Sequence, residues 1–195
     1  MIERPYPPTD INTRQPRIAT IKNGTFHRFY SRGHNPIFFD GCPIRGRFNS
    51  PDGSFGVLYA AEHPSGAFAG TFLRSPGSRL VPDDLIQGKA LVVLHSTRAL
   101  QLVELHGPGL SVLGATAEVT ASPPPYELPQ AWSAALHNHP NMFDGIAYHA
   151  RHDDSEICYA FFHRSGTAIA EVERRDNLNA EWFNSLLEHY SVGIA

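Results

Sequence analysis

Several features that mark whole classes of protein are absent from this sequence. No stretch approaches the ~20 apolar residues that a membrane-spanning helix needs, and the N-terminal stretch MIERPYPPTDINTRQP holds no apolar run that would serve as a signal peptide. Two cysteines, Cys42 and Cys158, are too few for a disulfide framework and do not form the paired CxxC spacing of a zinc site. We therefore predict a soluble, cytoplasmic protein that does not bind a membrane.

The sequence also lacks an excess of positive charge. It has 16 Lys and Arg against 19 Asp and Glu, which gives a net charge of −3 at pH 7. Binding nucleic acid through its phosphates needs a broad basic surface, so we predict no direct nucleic-acid partner, although a local basic pocket stays open. The eleven histidines match no established metal motif, either at HNH (137–139) or at HARHDD (149–154), and we predict no metal site.

Length and composition are those of one globular domain. The 195 residues, 42% of them hydrophobic, suffice for one sizeable core. Four prolines within residues 1–20 predict an extended N-terminal arm, which leaves residues 21–195 as the domain. Apolar segments typical of strands outnumber those typical of helices, and the two kinds do not alternate regularly. We therefore predict an α+β fold with mixed or antiparallel sheets and flanking helices.

The apolar pattern also predicts individual elements. Short apolar runs bounded by turn residues predict strands at TFHRFYS, RGRFN, GVLYAA, KALVVLHST, LQLVEL, FDGIAYHA and EICYAFFHR, of which the last two form a hairpin. Helical spacing predicts a helix opened by His63 and Pro64, a short one in GPGLSVLG, one from Leu128 or Pro129 to Pro140, and one along NAEWFNSLLEHY with Asn179 as N-cap.

The segment IRGRFNS, residues 44–50, is the most pointed candidate for ligand binding. Arg47 follows Gly46 in what reads as a strand, so its planar guanidinium could enter a cleft and hold a phosphate or pyrophosphate. Asn49 would face the same side and add a polar contact. The alternatives are an arginine on an exposed strand edge and an asparagine that begins a turn.

Two further candidates lie in predicted strands. Arg28, between aromatic residues in FHRFY, could be oriented towards a bound anion or could extend from an edge strand into solvent. Tyr59, inside an apolar strand, is either a core tyrosine with a satisfied hydroxyl or a stacking surface for an aromatic ligand.

Taken in order, a set of motifs makes the sequence similar to the RES domain family, toxins of bacterial toxin–antitoxin pairs: FHRFYS, GRFN, GVLYAAEHP with AFAGTF, RSPG, the ELPQAW helix and DGIAYHARHD. The resemblance runs from about residue 25 to residue 165. It implies an ADP-ribosyltransferase-like fold and NAD as substrate. The nicotinamide–ribose bond would be cleaved with water or phosphate, or ADP-ribose would be transferred to a protein acceptor. It also implies an antitoxin partner, usually a DNA-binding protein.

Three residues fill family positions by motif. The resemblance implies that Arg47 and Arg28 hold the pyrophosphate and that Tyr59 packs against the nicotinamide or its ribose. Two named positions depart from the family pattern: Gly70 stands where the catalytic glutamate is expected, and Ala150 stands where the serine is expected. The lost carboxylate matters, because a group of this kind contributes ~10² to 10⁴ in rate.

Three interpretations of Gly70 stay open. The chain is a variant from which the glutamate was removed, it is a natural but degenerate binder, or it uses another carboxylate, Glu62 before Glu156. We favour the first, because the other pocket residues are in place. The leading hypothesis is thus an NAD-directed toxin enzyme, weakened or inactive in this form. Its alternatives are a non-catalytic module that binds a nucleotide or protein, and a purely structural partner of an antitoxin.

Overall fold

The computed structural model describes residues 5–74 and 77–195. Its ten strands are β1 (Ile18–Ile21), β2 (Thr25–Ser31), β3 (Val57–Ala61), β4 (Leu80–Val81), β5 (Lys89–Ser96), β6 (Leu100–Glu104), β7 (Gly145–Ala150), β8 (Asp153–Phe162), β9 (Ile169–Arg175) and β10 (Gly193–Ile194). Its α-helices are α1 (Pro64–Phe72), α2 (Asp83–Gln87), α3 (Pro108–Leu113), α4 (Glu118–Ala121), α5 (Glu127–His137) and α6 (Glu181–His189). None of the described helices is long and apolar enough to cross a membrane.

Eight strands form one mixed sheet in the order β1-β6-β7-β8-β3-β2-β5-β9. Neighbours run antiparallel except for β6 and β7, which are parallel, while β4 and β10 form a separate parallel pair. One face of the large sheet packs against the helices, and the other buries a second apolar cluster. The predicted single-domain α+β fold, with a mixed sheet and flanking helices, is confirmed.

Aromatic packing fixes α1 across the helix-covered face of the sheet. Phe72 of α1 contacts Phe29 of β2 edge-on with ring centroids 5.0 Å apart, and Phe183 of α6 meets both rings at 5.6 and 6.1 Å. Full burial of a phenylalanine side chain contributes ~1.5–3 kcal/mol. This cluster therefore holds α1, which carries Gly70, in a defined position over β2.

Most predicted elements are confirmed, but RGRFN is not a strand. Residues 43–49 form successive turns, in which the amide of Asn49 donates to the carbonyl of Gly46 at 3.2 Å. Instead of pairing with a strand, the segment is held by a side chain of α5: Oγ of Ser133 donates to the Phe48 carbonyl at 2.6 Å. The N-cap at Asn179 is also wrong: α6 starts after Ala180, and the amide of Asn179 donates to the Asn177 side chain at 2.9 Å.

The predicted N-terminal arm overlaps a strand, and parts of the arm and of the RSPG motif lie outside the described residues. Strand β1 starts at Ile18, inside the arm predicted for residues 1–20, because it pairs with β6 from Ile18–Val103 onwards. Ser75 and Pro76 of the RSPG motif, together with residues 1–4 of the arm, lie outside the described residues.

Candidate functional site

The hydroxyl of Tyr59 braces the turn segment that carries Arg47. It accepts the amide hydrogen of Phe48 at 2.8 Å and donates to Oδ1 of Asn49 at 2.9 Å. The fully buried Asn49 in turn donates from Nδ2 to the Cys42 carbonyl at 2.7 Å. Burial raises the pKa of Tyr59 far above its ordinary value, so the phenol stays neutral and can donate. Tyr59 and Asn49, both predicted to contact a ligand, therefore contact one another, and their polar groups hold the protein itself.

Helix α5 holds the same segment from the other side. Gln130 donates from Nε2 to the carbonyls of Pro43 and Gly46, and Ser133 donates from Oγ to the Phe48 carbonyl at 2.6 Å. The sequence does carry a signal for this contact, since Gln130 and Ser133 are buried polar residues on the apolar face of ELPQAWSAALH. Residues 43–49 thus form a rigid loop, which we name the arginine loop.

Arg47 extends from the arginine loop with hydrogen-bonding capacity to spare. Its guanidinium lies over the ring of Tyr126, 5.7 Å from the ring centroid, and its buried Nε has no hydrogen-bond partner among the described residues. A buried donor without an acceptor costs ~1–3 kcal/mol. An acceptor supplied by a ligand would recover this energy, so Arg47 is suited to bind an anion.

Arg28 occupies a gap in the sheet. Strands β2 and β3 share one register pair, His27 with Ala61, and Nη1 of Arg28 donates to the Tyr59 carbonyl at 2.8 Å where a continuous ladder would have placed a backbone amide. Its Nε is buried and unpartnered among the described residues. Burial lowers the pKa of Arg28 to about 10, opposed by the negative charge of Asp40, so the side chain is still cationic at neutral pH.

The two arginines do not approach from the same side of the sheet. Arg28 alternates along β2 with Phe29, which belongs to the helix-covered core, so its side chain leaves the strand on the opposite face. Arg47 lies on the helix-covered side, where its charge acts on the hydroxyls of Tyr59 and Tyr148. Arg28 can therefore reach a ligand only through the gap between β2 and β3.

Tyr148 is buried beneath the arginine loop, and no sequence motif singled it out. It is buried on the helix-covered face and meets Phe48 edge-on at 4.9 Å. Burial raises its pKa well above the ordinary value, and the charges of Arg47 and Arg74 oppose this rise. Arg47 from the arginine loop and Arg74, two residues after α1, thus both lie within electrostatic reach of the Tyr148 hydroxyl, and we take the region between them as the candidate cleft.

The two positions that depart from the family pattern lie on α1 and at the end of β7. Gly70 is exposed on α1, and a Cβ added there would meet no atom within 4 Å. Its carbonyl accepts a hydrogen bond from Nε of Arg74 at 3.2 Å. Ala150, 5% exposed at the end of β7, belongs to the same core as Tyr148. The cleft therefore contains neither the carboxylate nor the hydroxyl at these two positions.

The structure favours Glu156 over Glu62 as the carboxylate on the face of the sheet that carries Arg47. Glu62 is exposed, and its charge raises the pKa of Tyr159, which belongs to the core on the far face of the sheet. Glu156, its side chain only 12% exposed, is held by the Ser65 hydroxyl and by Nδ1 of His63 at 3.2 Å. It lies on the helix-covered face, because it stands two residues before the core residue Cys158, and side chains two residues apart leave a strand on the same face. Glu156 is therefore the carboxylate on the same face of the sheet as Arg47, but its oxygens contact His63 and Ser65 at the start of α1.

Two surface grooves are found elsewhere. One, of about 300 Å³, lies between α4 and the proline run before α5, and the other, of about 280 Å³, lies beside the C-terminal end of α1. Neither is lined by Arg47 or Tyr59. We place the site by its unpartnered arginines, because polar groups rather than groove size decide anion binding. Within residues 5–74 and 77–195, no three His, Cys, Asp or Glu side chains are grouped so as to hold a metal ion.

Comparison with known proteins agrees with the geometry. The family model of the RES domain matches residues 17–182. A chain in the crystal structure of the M. tuberculosis MbcT-MbcA toxin-antitoxin complex has a similar fold, with a TM-score of 0.66 and 15% sequence identity over 88% of this chain and 91% of that chain. No curated protein sequence matches the chain. Because the family model covers most of its length, the chain belongs to the RES domain family.

Proposed function

We propose that this chain is the toxin of a toxin–antitoxin pair and that it binds NAD in the cleft between the arginine loop and α1. The observation that carries the proposal is Arg47: the loop that carries it is held by α5, and among the described residues its guanidinium has an unpartnered Nε and lies over the Tyr126 ring. Membership of the RES family supports it, and so does the toxin–antitoxin complex of similar fold. The cytoplasm, predicted from the sequence, is the compartment in which we propose that it acts.

Each residue has a separate part in binding. Arg47 offers paired charge-assisted hydrogen bonds to the pyrophosphate, and the ring of Tyr126 behind its guanidinium limits rotation of the side chain. The rings of Tyr59 and Tyr148 give an apolar floor for the nicotinamide or its ribose. Arg28 adds positive charge from within the gap between β2 and β3.

The chemistry depends on position 70. Departure of nicotinamide leaves an oxocarbenium-like ribose, which a carboxylate stabilises while it orients the attacking nucleophile. Gly70 supplies no such group, and neither Glu62 nor Glu156 replaces it at that place. The open space at Gly70 does accommodate a longer side chain. We therefore propose that this chain binds NAD and turns it over slowly or not at all, and that a glutamate at this position restores turnover.

The test compares three forms of the purified protein: the chain as it stands, Gly70→Glu and Gly70→Gln. Calorimetry measures NAD binding, and chromatography measures nicotinamide release with water, phosphate or cell extract as acceptor. We expect all three to bind NAD and only Gly70→Glu to raise nicotinamide release, by ~10² or more. The glutamine form is the control, because it has the same shape without the charge. No binding and no release by any form would refute the proposal.

Arg47→Ala in the Gly70→Glu form tests the binding role directly. We expect weaker NAD binding and slower release, and Arg47→Lys should restore little, because lysine lacks the planar fork that pairs with two phosphate oxygens. Unchanged affinity in both variants would assign the pyrophosphate to other residues.

A non-catalytic binding module is the second candidate. It is favoured by the coincidence that Gly70 and Ala150 both lack the family side chain. NAD binding without nicotinamide release, in the native chain and in Gly70→Glu alike, would support it. A chain with no affinity for any nucleotide would instead be a structural partner of its antitoxin, for which we propose a DNA-binding protein. The same assay has a third arm, the transfer of ADP-ribose to a protein acceptor, which is measured as label on the proteins of the cell extract.

A further inference from the structure

The groove beside the C-terminal end of α1 is lined on one side by charge. Arg74 and Lys89 supply two cations, and Thr71 and Ser78 supply hydroxyls. Phe72, Leu80 and Leu85 contribute the apolar part of the lining. Its volume of about 280 Å³ is ample for a phosphate group with part of the molecule that carries it.

Both cations retain hydrogen-bonding capacity. Arg74 uses only Nε internally, on the Gly70 carbonyl at 3.2 Å, and Lys89 donates one hydrogen bond, to Oγ of Ser31 at 2.9 Å. Within the described part of the chain, neither forms an ion pair with a carboxylate. Two terminal guanidinium nitrogens and two ammonium hydrogens are thus left for an external acceptor.

A third cation stands close by. Burial lowers the pKa of Lys89, and the positive charges of Arg74 and Arg28 lower it further, so both arginines lie within electrostatic reach of Lys89. Like charges gathered without a counterion destabilise the folded chain, and a bound anion would relieve that repulsion.

Arg74 connects this groove to the proposed NAD cleft. Its charge acts on Tyr148, the floor of the cleft, and on Lys89, in the wall of the groove. Gly70, at the edge of the cleft, immediately precedes Thr71, which lines the groove. A dinucleotide in the cleft can therefore extend a further group along the end of α1 into the groove.

We propose that the groove binds a phosphomonoester and that its occupant is the 2′-phosphate of NADP, so that this chain prefers NADP to NAD. The inference rests on the proposed function, because Arg47 is assigned there to the pyrophosphate. A second group of cations calls for a second phosphate, and a phosphomonoester carries a charge of about −2 with three acceptor oxygens. Arg74 suits it as a two-pronged donor and Lys89 as a point charge.

The experiment is calorimetric titration of the whole chain with NAD, NADP and inorganic phosphate at low salt. We expect NADP to bind about tenfold or more tightly than NAD, in line with a charge-assisted pair on one phosphate. The double variant Arg74→Gln/Lys89→Gln should bring the ratio close to one. Lys89→Gln alone should lower the ratio and leave NAD affinity within about twofold, because Lys89 lines the groove and not the cleft. Arg79→Gln is the matched control, because Arg79 is exposed on the neighbouring segment and does not line the groove.

Each outcome decides between the proposals. Equal binding of NAD and NADP would overturn the subsite and leave the proposed function intact. An NADP preference that survives the double variant would place the 2′-phosphate elsewhere and also overturn it. Inorganic phosphate that binds the groove without competing with NADP would indicate a site for free phosphate and would overturn the 2′-phosphate subsite. No binding of either dinucleotide would refute both proposals.

Discussion

Tyr59→Phe tests whether one hydroxyl sets the arginine loop. The substitution keeps the ring and creates no cavity, but it leaves the backbone amide of Phe48 and the side-chain Oδ1 of Asn49 without their Tyr59 partner. Each buried group left unsatisfied costs ~1–3 kcal/mol. Since the loop can relax towards water, we expect the unfolding free energy to fall by ~2–4 kcal/mol in total. The loss should be larger than that of a typical surface substitution, ~0.5 kcal/mol.

Urea denaturation followed by tryptophan fluorescence measures this loss, because Trp132 is buried in the helix that holds the arginine loop. Tyr159→Phe is the control: Tyr159 is also a buried strand tyrosine, but it lies on the far face of the sheet and its hydroxyl has no protein partner among the described residues. We expect the control to lose no more than ~0.5 kcal/mol. Equal stability of the two variants would refute the bracing role, and NAD affinity lost only in Tyr59→Phe would link the brace to binding.

Two further predictions concern stability. Gly70→Ala should raise the unfolding free energy by up to ~1 kcal/mol, seen as a rise of ~2–4 °C in the melting temperature, because alanine favours helix and the position is open. Gly66→Ala should give no such gain, since its Cβ would lie 3.0 Å from both Ala61 Cβ and Glu156 Oε2; equal gains at both positions would contradict this packing. Burial lowers the pKa of four histidines below the ordinary 6.5: His27, His106, His137 and His152. As the pH falls, the unfolded chain therefore binds protons before the folded chain does, and the urea concentration at the unfolding midpoint should decrease from pH 7.5 to pH 5.5. A constant midpoint would show that these histidines titrate alike in both states.

The strands and helices with clear periodicity could be predicted from local sequence. TFHRFYS, GVLYAA and KALVVLHST become β2, β3 and β5, because their apolar side chains fill one or both faces of a central sheet. Strand β9 escaped prediction for the opposite reason. It lies at the sheet edge, and most of its IAEVERR residues are solvent-exposed, so no apolar alternation marks it.

The conformation of the arginine loop could not be predicted, because distant residues decide it. Its turns are held by Gln130 and Ser133, which follow it by more than eighty residues in the chain. A β-like composition around Arg47 carries no information about these contacts. The pattern did pair Arg47 with Asn49 as candidates for one ligand, next to a glycine that allows a close approach of the backbone, but only the family resemblance placed Tyr59 at the same ligand.

The placement of Arg28 and of the carboxylates needed the sheet topology. Alternation along β2 predicts which face each side chain leaves, but only the single pair between β2 and β3 shows that Arg28 enters a gap. Likewise, Glu62 follows the strand that carries Tyr59 and reads as the nearer acid, whereas Glu156 reaches the helix-covered face through the pairing of β8 with β3. Sequence distance was misleading in both cases, because strand pairing sets spatial distance.

The proposed binding and catalytic roles fall on separate parts of the candidate cleft. Arg47 is positioned by Tyr59, Asn49 and Ser133, and none of these contacts involves α1. Position 70 is set by the packing of α1 on β2, through Phe72 and Phe29, and would hold any side chain without moving the arginine loop. Loss of a carboxylate at that position therefore leaves the anion-binding half undisturbed. It follows that nucleotide affinity and nicotinamide release should vary independently in this protein, the first with the arginine loop and the second with the residue at position 70.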